Sequence, residues 1–305
     1  MSELPSVSAI VATRDRPREL RRAIAAILGQ KYDAPVQCIV VFDGREPDDL
    51  ADVAPDSMDR SLVVIRNGRT PGLAGARNAG ADRASGDLLA FCDDDDVWHP
   101  DKLSLQAAAL GASGADVAVG GIEVVYGDRR VSRLPRHELV TLADLLGSRQ
   151  TEIHPSTVVV RREAFVGPIG PVDEAIPGSY GEDYEWLLRA AAVGPIVAVR
   201  TAVADIHWGA SFFADRWETI ADAIRYLLGK HPELASDRRN FARLQGRVAF
   251  AHAALGRRRE AWRWAWRSIR TRPLERRPYL ALAVSSGIVT ASAIQDRANK
   301  AGRGV

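Results

Sequence analysis

Short apolar, β-rich runs at residues 6–12, 37–42, 61–66 and 88–92 alternate with stretches of helical spacing along the first 95 residues of the chain. Residues 17–29 place Leu20, Ile24, Ile27 and Leu28 on one face with Pro17 in the first turn, which predicts an amphipathic helix. Similar spacing predicts helices over 47–54 and 73–84. Strand and helix alternating in this way imply an α/β fold, a doubly wound parallel sheet with ligands at the carboxyl ends of the strands. The residues that follow the four runs are Thr13-Arg14-Asp15, Asp43-Gly44, Asn67-Gly68 and Asp93 to Asp96, so polar groups converge on one rim.

Beyond residue 100 the pattern predicts helices at 101–112, 139–147 and 182–193 and strands at 116–126, 156–161 and 196–203, with antiparallel additions to the sheet. From about residue 216 every segment has helical spacing. Two domains are expected: an α/β unit over 1–215 and an all-helical appendage over 216–305.

Composition changes this picture in one respect. The 305 residues are 46% apolar and 26% charged, as in a folded globular chain, with a net charge of +2. From residue 236 onward, however, there are 16 Lys and Arg against 4 Asp and Glu, a balance of +12, which leaves −10 for residues 1–235. The two parts are expected to do different jobs. Only Cys38 and Cys92 are present, each inside an apolar run, so no disulfide framework is expected and a reducing compartment is the default. The N-terminal stretch lacks the pattern of a secretion signal, and residues 279–294, interrupted by Ser, Thr and Gly287, fall short of a bilayer span. A cytoplasmic protein is expected.

The strongest chemical signal is the run Asp93-Asp94-Asp95-Asp96, placed directly after a buried strand and followed by Val97-Trp98-His99-Pro100. In an extended segment Asp93 and Asp95 face the same way and can share a hard cation. An EF-hand is excluded because its turn glycine is missing. The second signal, Gly181-Glu182-Asp183-Tyr184-Glu185-Trp186, sets two acids in the first turn of a helix, where the macrodipole favours them. Together, one cluster can hold a metal and a phosphate-bearing donor while the other supplies a general base.

The stretches VSAIVATRDRP, IVVFDG, NGRTPGLAGARNAGADRASGDLLAFCDDDDVWHPDKL, HPSTVVVRREAF and GEDYEWLLRA, in that order, closely resemble the family 2 glycosyltransferases, inverting enzymes of the GT-A fold. That resemblance implies metal-dependent transfer of a sugar from a nucleoside-diphosphate sugar, UDP favoured, to a hydroxyl of a glycan, lipid-linked or small-molecule acceptor in cell-envelope synthesis. It makes Asp93 and Asp95 the DxD pair, with Asp95 and His207 on a Mg²⁺ or Mn²⁺ ion. Asp183 becomes the catalytic base with Glu182 beside it. Thr13, Arg14, Asp43 and Arg77 would form the nucleotide pocket, with Asp93 and Asp94 along the donor. Phe42 departs from the pattern, since many members carry a second acid there. His154-Pro155-Ser156 would open the acceptor side, and Trp98 would either pack or stack on a sugar. Partial burial is expected to raise the basicity of Asp183.

Other readings are weaker at particular positions. A nucleotidyltransferase or a dinucleotide-dependent dehydrogenase would carry glycines after the first strand, where this chain has Ala12-Thr13-Arg14-Asp15-Arg16-Pro17, and no P-loop sequence occurs. A catalytically silent sugar-nucleotide-binding scaffold would not need Asp93, Asp95 and Asp183 intact. In the tail, Trp262 and Trp266 share a helix face beside Arg263, Arg267 and Arg270. Such a helix suits either peripheral contact with the inner face of an anionic membrane or packing on the catalytic domain, and no nucleic-acid reader motif is present.

Overall fold

The computed structural model describes residues 4–127, 129–207 and 216–300, with side chains to 295. The chain forms two compact units: Met1–Leu145, Arg149–Glu174 and Glu182–Gly209 make the first, Leu146–Ser148, Ala175–Gly181 and Ala210–Val305 the second.

In the first unit β1 (Val7–Thr13), α1 (Pro17–Leu28), β2 (Val36–Phe42), β3 (Arg60–Arg66), α2 (Leu73–Arg83) and β4 (Leu88–Asp93) alternate as the hydrophobic pattern requires. β1 pairs in parallel with both β2 and β4, and β2 with β3. Then follow β5 (Val97–Trp98), α3 (Lys102–Ser113), β6 (Val117–Tyr126), β7 (Arg129–Arg133), β8 (Leu139–Val140), α4 (Leu142–Gly147), β9 (Val159–Arg161), α5 (Arg162–Val166), α6 (Glu182–Val193) and β10 (Ile196–His207). The sheet order is β3-β2-β1-β4-β9-β6-β10-β5, with β7 on β6 and β8 on β10. β9 runs antiparallel to both β4 and β6, so the sheet is mixed. Its core is built from fully buried residues such as Val11, Ile24, Ile27, Val40, Leu88 and Leu110.

Six of the eleven residues of α2 are Ala or Gly, which lets it lie close on the sheet. A Cβ at Gly80 would come within 2.4 Å of the Ile10 side chain. The helix starts from Gly72, whose φ of 121° disfavours any L side chain and whose N–H donates to Asp43.

Four predicted elements differ, one of them the strand over 196–203, which runs on to His207 as β10. The helix over 47–54 is only a 3₁₀ turn at Ala51–Val53. Pro47 and Pro55 bracket it, Asp49 bonds the N–H of Ala51, and Arg21 gathers Asp48 and Asp52. The helix over 139–147 starts only at Leu142, because Thr141 and Asp144 bond each other's backbone N–H groups as a capping box and leave Leu139–Val140 as strand β8. The strand over 156–161 is shortened to Val159–Arg161 by a 3₁₀ turn at Pro155–Thr157.

The second unit contains α7 (Trp217–Lys230), α8 (Arg238–Ala254), α9 (Arg258–Thr271), α10 (Arg277–Ser285) and α11 (Ala291–Lys300). Ala249, Phe250, Ala253, Ala261, Ala265 and Ala281 form its core, and Trp217 meets Phe250 edge-on at 5.5 Å. The side chain of Asp237 caps α8 by accepting from the N–H of Asn240. Among the described residues no helix is long and apolar enough to cross a membrane.

Candidate active site

The site lies in the first unit, at the carboxyl ends of β1, β2 and β4 and the start of α6. The aspartate run is not extended beyond Asp93. Asp94 and Asp95 form a turn closed by Asp96 N–H donating to the Asp93 carbonyl at 3.1 Å, so Asp96 folds back beside Asp93. Ser156 donates its hydroxyl proton to Asp96 Oδ2 at 2.5 Å and accepts from the N–H of Asp93 at 3.0 Å. His154 faces both carboxylates, with Nδ1 3.3 Å from Asp96 and Nε2 3.9 Å from Asp93. One ligand atom from each of Asp93, Asp96 and His154 falls within 4.8 Å of the others, a spacing that could hold a metal ion. Alternation along an extended segment points to Asp95 as the neighbour of Asp93; the turn makes Asp96 the neighbour instead.

Asp95 pairs with Arg16 Nη1 at 2.6 Å, and the same nitrogen is 2.9 Å from Asp94. Thr13 Oγ1 donates to Asp94 at 2.7 Å. His207 ends β10. The His207 Nδ1 atom is buried without a hydrogen-bond partner. Trp208 and Gly209, which follow it in the chain, lie outside the described residues.

The acidic helix start reaches the aspartate run through one residue. Buried Arg77 donates from Nη1 to Glu182 at 2.5 Å and from Nη2 to Asp93 at 2.8 Å, so the two motifs meet across a single guanidinium. α6 is held there by Trp186, which packs against Phe91 and Phe165 and donates to the Gly170 carbonyl, and by Tyr184, which donates to the Leu145 carbonyl. Asp183 pairs with Arg149 at 2.5 Å, and Arg149 is 41% exposed. Asp183 and Arg77 also line a pocket with Phe91, Pro155 and Leu187.

At the other end of the rim, Asp43 Oδ1 accepts from Asn67 Nδ2 at 2.8 Å and Oδ2 from the N–H of Gly72 at 3.1 Å. Arg14 donates to the Asp43 carbonyl at 3.3 Å. Trp98, in contrast, is 2% exposed, with the ammonium of buried Lys102 4.2 Å from its ring. It packs, and no face is left to stack on a sugar.

Electrostatics divides the acids. Burial, reinforced by Asp93, pushes Asp96 well above the usual carboxylate range and Asp95 up to about 6. Burial also raises Glu182 to about 7 despite Arg77. The expectation for Asp183 is overturned: burial does raise it, but Arg149 and Arg77 outweigh burial and leave it below its ordinary value. Six carboxylates (Asp93 to Asp96, Glu182 and Asp183) thus face three guanidinium groups, Arg16, Arg77 and Arg149.

Arg16, Asn67, Arg149 and Ser156 are the site residues that sequence reasoning missed as participants. Only Asn67, in the rim turn after β3, and Ser156, beside His154, carried a signal.

A model of the family described as Glycosyl transferase family 2 matches residues 8–166, just over half of the chain. The chain belongs to glycosyl transferase family 2. It is 33% identical over 223 residues to the succinoglycan biosynthesis protein ExoO of Rhizobium meliloti (strain 1021), covering 68% of this chain and 62% of that protein. It is 27% identical over 182 residues to the Escherichia coli protein WfgD, described as a UDP-Glc:alpha-D-GlcNAc-diphosphoundecaprenol beta-1,3-glucosyltransferase, covering 59% and 68% of the two chains. Against ExoO and ExoW the chain spans 62% and 52% of the relative's length. The crystal structure of S. aureus TarS 1-349 in complex with UDP-GlcNAc superposes with a TM-score of 0.65 at 16% identity, over 98% of this chain and 92% of that one. This likeness shows the fold: a mixed sheet of GT-A type flanked by helices, with a helical C-terminal region.

Proposed function

We propose that this family 2 glycosyltransferase transfers a sugar, with inversion, from a UDP-sugar to a hydroxyl of a lipid-linked or glycan acceptor in cell-envelope synthesis. We further propose a two-domain division, a catalytic domain over 1–215 and a helical region over 216–305, with the protein cytoplasmic and in peripheral contact with the inner face of the membrane through that helical region. The observation that carries the reading is Arg77 bridging Asp93 and Glu182, which brings the two acidic motifs to one place. The relatives' names support the substrate class: WfgD is named for UDP-glucose and a diphospholipid acceptor, and TarS is solved with UDP-GlcNAc.

In this reading Asp43 accepts from the base, Thr13 and Arg14 flank the nucleoside, and Arg77, Asp93 and Asp94 line the donor. Asp93 and Asp95 with His207 would hold a divalent cation, Mg²⁺ or Mn²⁺. Support comes from the orphaned His207 Nδ1 and from Arg16, whose guanidinium already bridges Asp94 and Asp95 as a cation would. When bound, the ion offsets charge on the departing diphosphate. A second reading places it on Asp93, Asp96 and His154, favoured by their 4.8 Å spacing.

Asp183 takes the proton of the acceptor hydroxyl as that oxygen bonds to the anomeric carbon. The bond from that carbon to the β-phosphate oxygen breaks, and its electron pair leaves on UDP. Glu182, locked on Arg77, orients the pair. Displacement of Arg149 by the acceptor removes the largest influence that lowers Asp183, so burial then raises its basicity where it is needed. Arg149→Gln should therefore move the acidic limb of the kcat/KM profile to higher pH, because Asp183 stays protonated further up the scale. An unmoved limb would detach Arg149 from the base.

A thermal-shift series with nucleoside-diphosphate sugars tests the whole reading. A UDP-sugar at a hundred times its Kd should add about 2.7 kcal/mol, with a tighter Kd when Mn²⁺ is present. Asp95→Asn should abolish the metal-dependent part and Asp96→Asn should spare it; the reverse result moves the ion to the second set. No response to any nucleotide sugar would refute the function.

A further inference from the structure

α9 buries Ala261, Ala265 and Ser268 and turns the opposite side to solvent. Trp262 is 44% exposed and Trp266 51%, one helical turn apart on that side. A tryptophan is among the residues most strengthened by burial, so two exposed on one face mark a contact surface rather than a core remnant. At about 100° per residue, Arg258 lies just to one side of the two rings and Arg259, Arg270 and Arg263 to the other, all of them exposed. The helix carries one acid, Glu260, half-buried and 3.7 Å from Arg263. Arg267 stacks at 4.8 Å on half-buried Trp264, away from the exposed pair.

Indole rings between flanking guanidinium groups match the boundary between acyl chains and anionic headgroups. Rings enter the headgroup region while the long arginine stems reach up to phosphates. We propose that the Trp262–Trp266 face of α9 docks on the surface of an anionic lipid bilayer, the aromatic rings inserting and Arg258, Arg259, Arg263 and Arg270 pairing with lipid phosphates. This deepens the peripheral reading given above and rests on it. The face selects negatively charged headgroups over zwitterionic ones, because four arginines meet it against the single acid Glu260.

The test is co-sedimentation of the full-length protein with vesicles of phosphatidylcholine alone and of an equal mixture of phosphatidylcholine and phosphatidylglycerol. Binding to the mixed vesicles is expected, with little to phosphatidylcholine, and it should weaken at high salt. Trp262→Ser with Trp266→Ser should lower the partition coefficient about tenfold or more, and Arg258→Gln with Arg259→Gln and Arg263→Gln by a similar factor. Both variants should keep the wild-type melting temperature and UDP-sugar hydrolysis rate, so failure of the docking proposal and failure of the transfer reading are read separately. Equal vesicle binding by the tryptophan variant and wild type would overturn the proposal. So would wild-type self-association in sedimentation velocity that the tryptophan variant abolishes, since the face would then belong to a second copy.

Discussion

Asp183→Asn should bind UDP-sugar as the wild type does and yet lose about 10²–10⁴ of turnover, the range for removal of a positioned general base. The substitution keeps the shape of the side chain and one acceptor oxygen, so the donor pocket proposed around Asp43, Arg14 and Thr13 is untouched. It releases Arg149, whose 41% exposure lets water satisfy the guanidinium, so the melting temperature should change little. Calorimetry with UDP-sugar beside initial rates separates the two effects. Turnover near the wild-type rate would remove Asp183 from the role, and loss of nucleotide affinity would show that it binds donor instead. Glu182 is no substitute, because both its burial and its bond to Arg77 hold it in place.

The largest expected effect on stability is at Arg77. It is 4% exposed and is flanked by Asp93 and Glu182, so Arg77→Met would leave two carboxylates facing each other in a poorly hydrated site. Breaking a buried charge set by removing one partner costs about 3–5 kcal/mol, a large part of the stability of an ordinary domain. The sign of the pH dependence follows from linkage. Without the guanidinium, Glu182, already raised to about 7 by burial, binds its proton still more tightly in the folded chain than in the unfolded one. The penalty therefore grows as pH rises through the folded value and shrinks as pH falls toward the unfolded one. Denaturant titrations of the variant across that interval should show the loss greatest above neutrality. Arg77→Lys should recover only part of it, since an ammonium cannot fork between two carboxylates. A wild-type midpoint for Arg77→Met would mean that the two motifs are not joined through this residue.

Much of this arrangement is legible in the sequence. The period of the apolar runs gives the parallel half of the sheet and places Asp43, Asp93 and the TRD segment on one rim, because side-chain alternation and strand order are local consequences of sequence. What fails are the places where local capping competes with periodicity, as at Thr141 and Asp144, or where prolines bracket a short acidic segment, as at residues 47–55. The Asp94-Asp95 turn is a failure of the same kind, because backbone hydrogen bonding, not alternation, decides which carboxylate lies beside Asp93. Arg16 and Arg149 carry no sequence signal, since their partners are 78 and 34 residues away and meet them only through the tertiary fold. The direction of the Asp183 shift is illegible for that reason too. Burial could be anticipated from the helix pattern, but the two guanidinium groups that outweigh it could not.

The central claim is a single displacement at the anomeric carbon by a nucleophile that Asp183 deprotonates on the face opposite the diphosphate. Proton NMR of the first sugar released when the enzyme hydrolyses an α-linked UDP-sugar, recorded before mutarotation mixes the anomers, reads this directly. The β anomer is the predicted product; initial release of the α anomer would contradict the account.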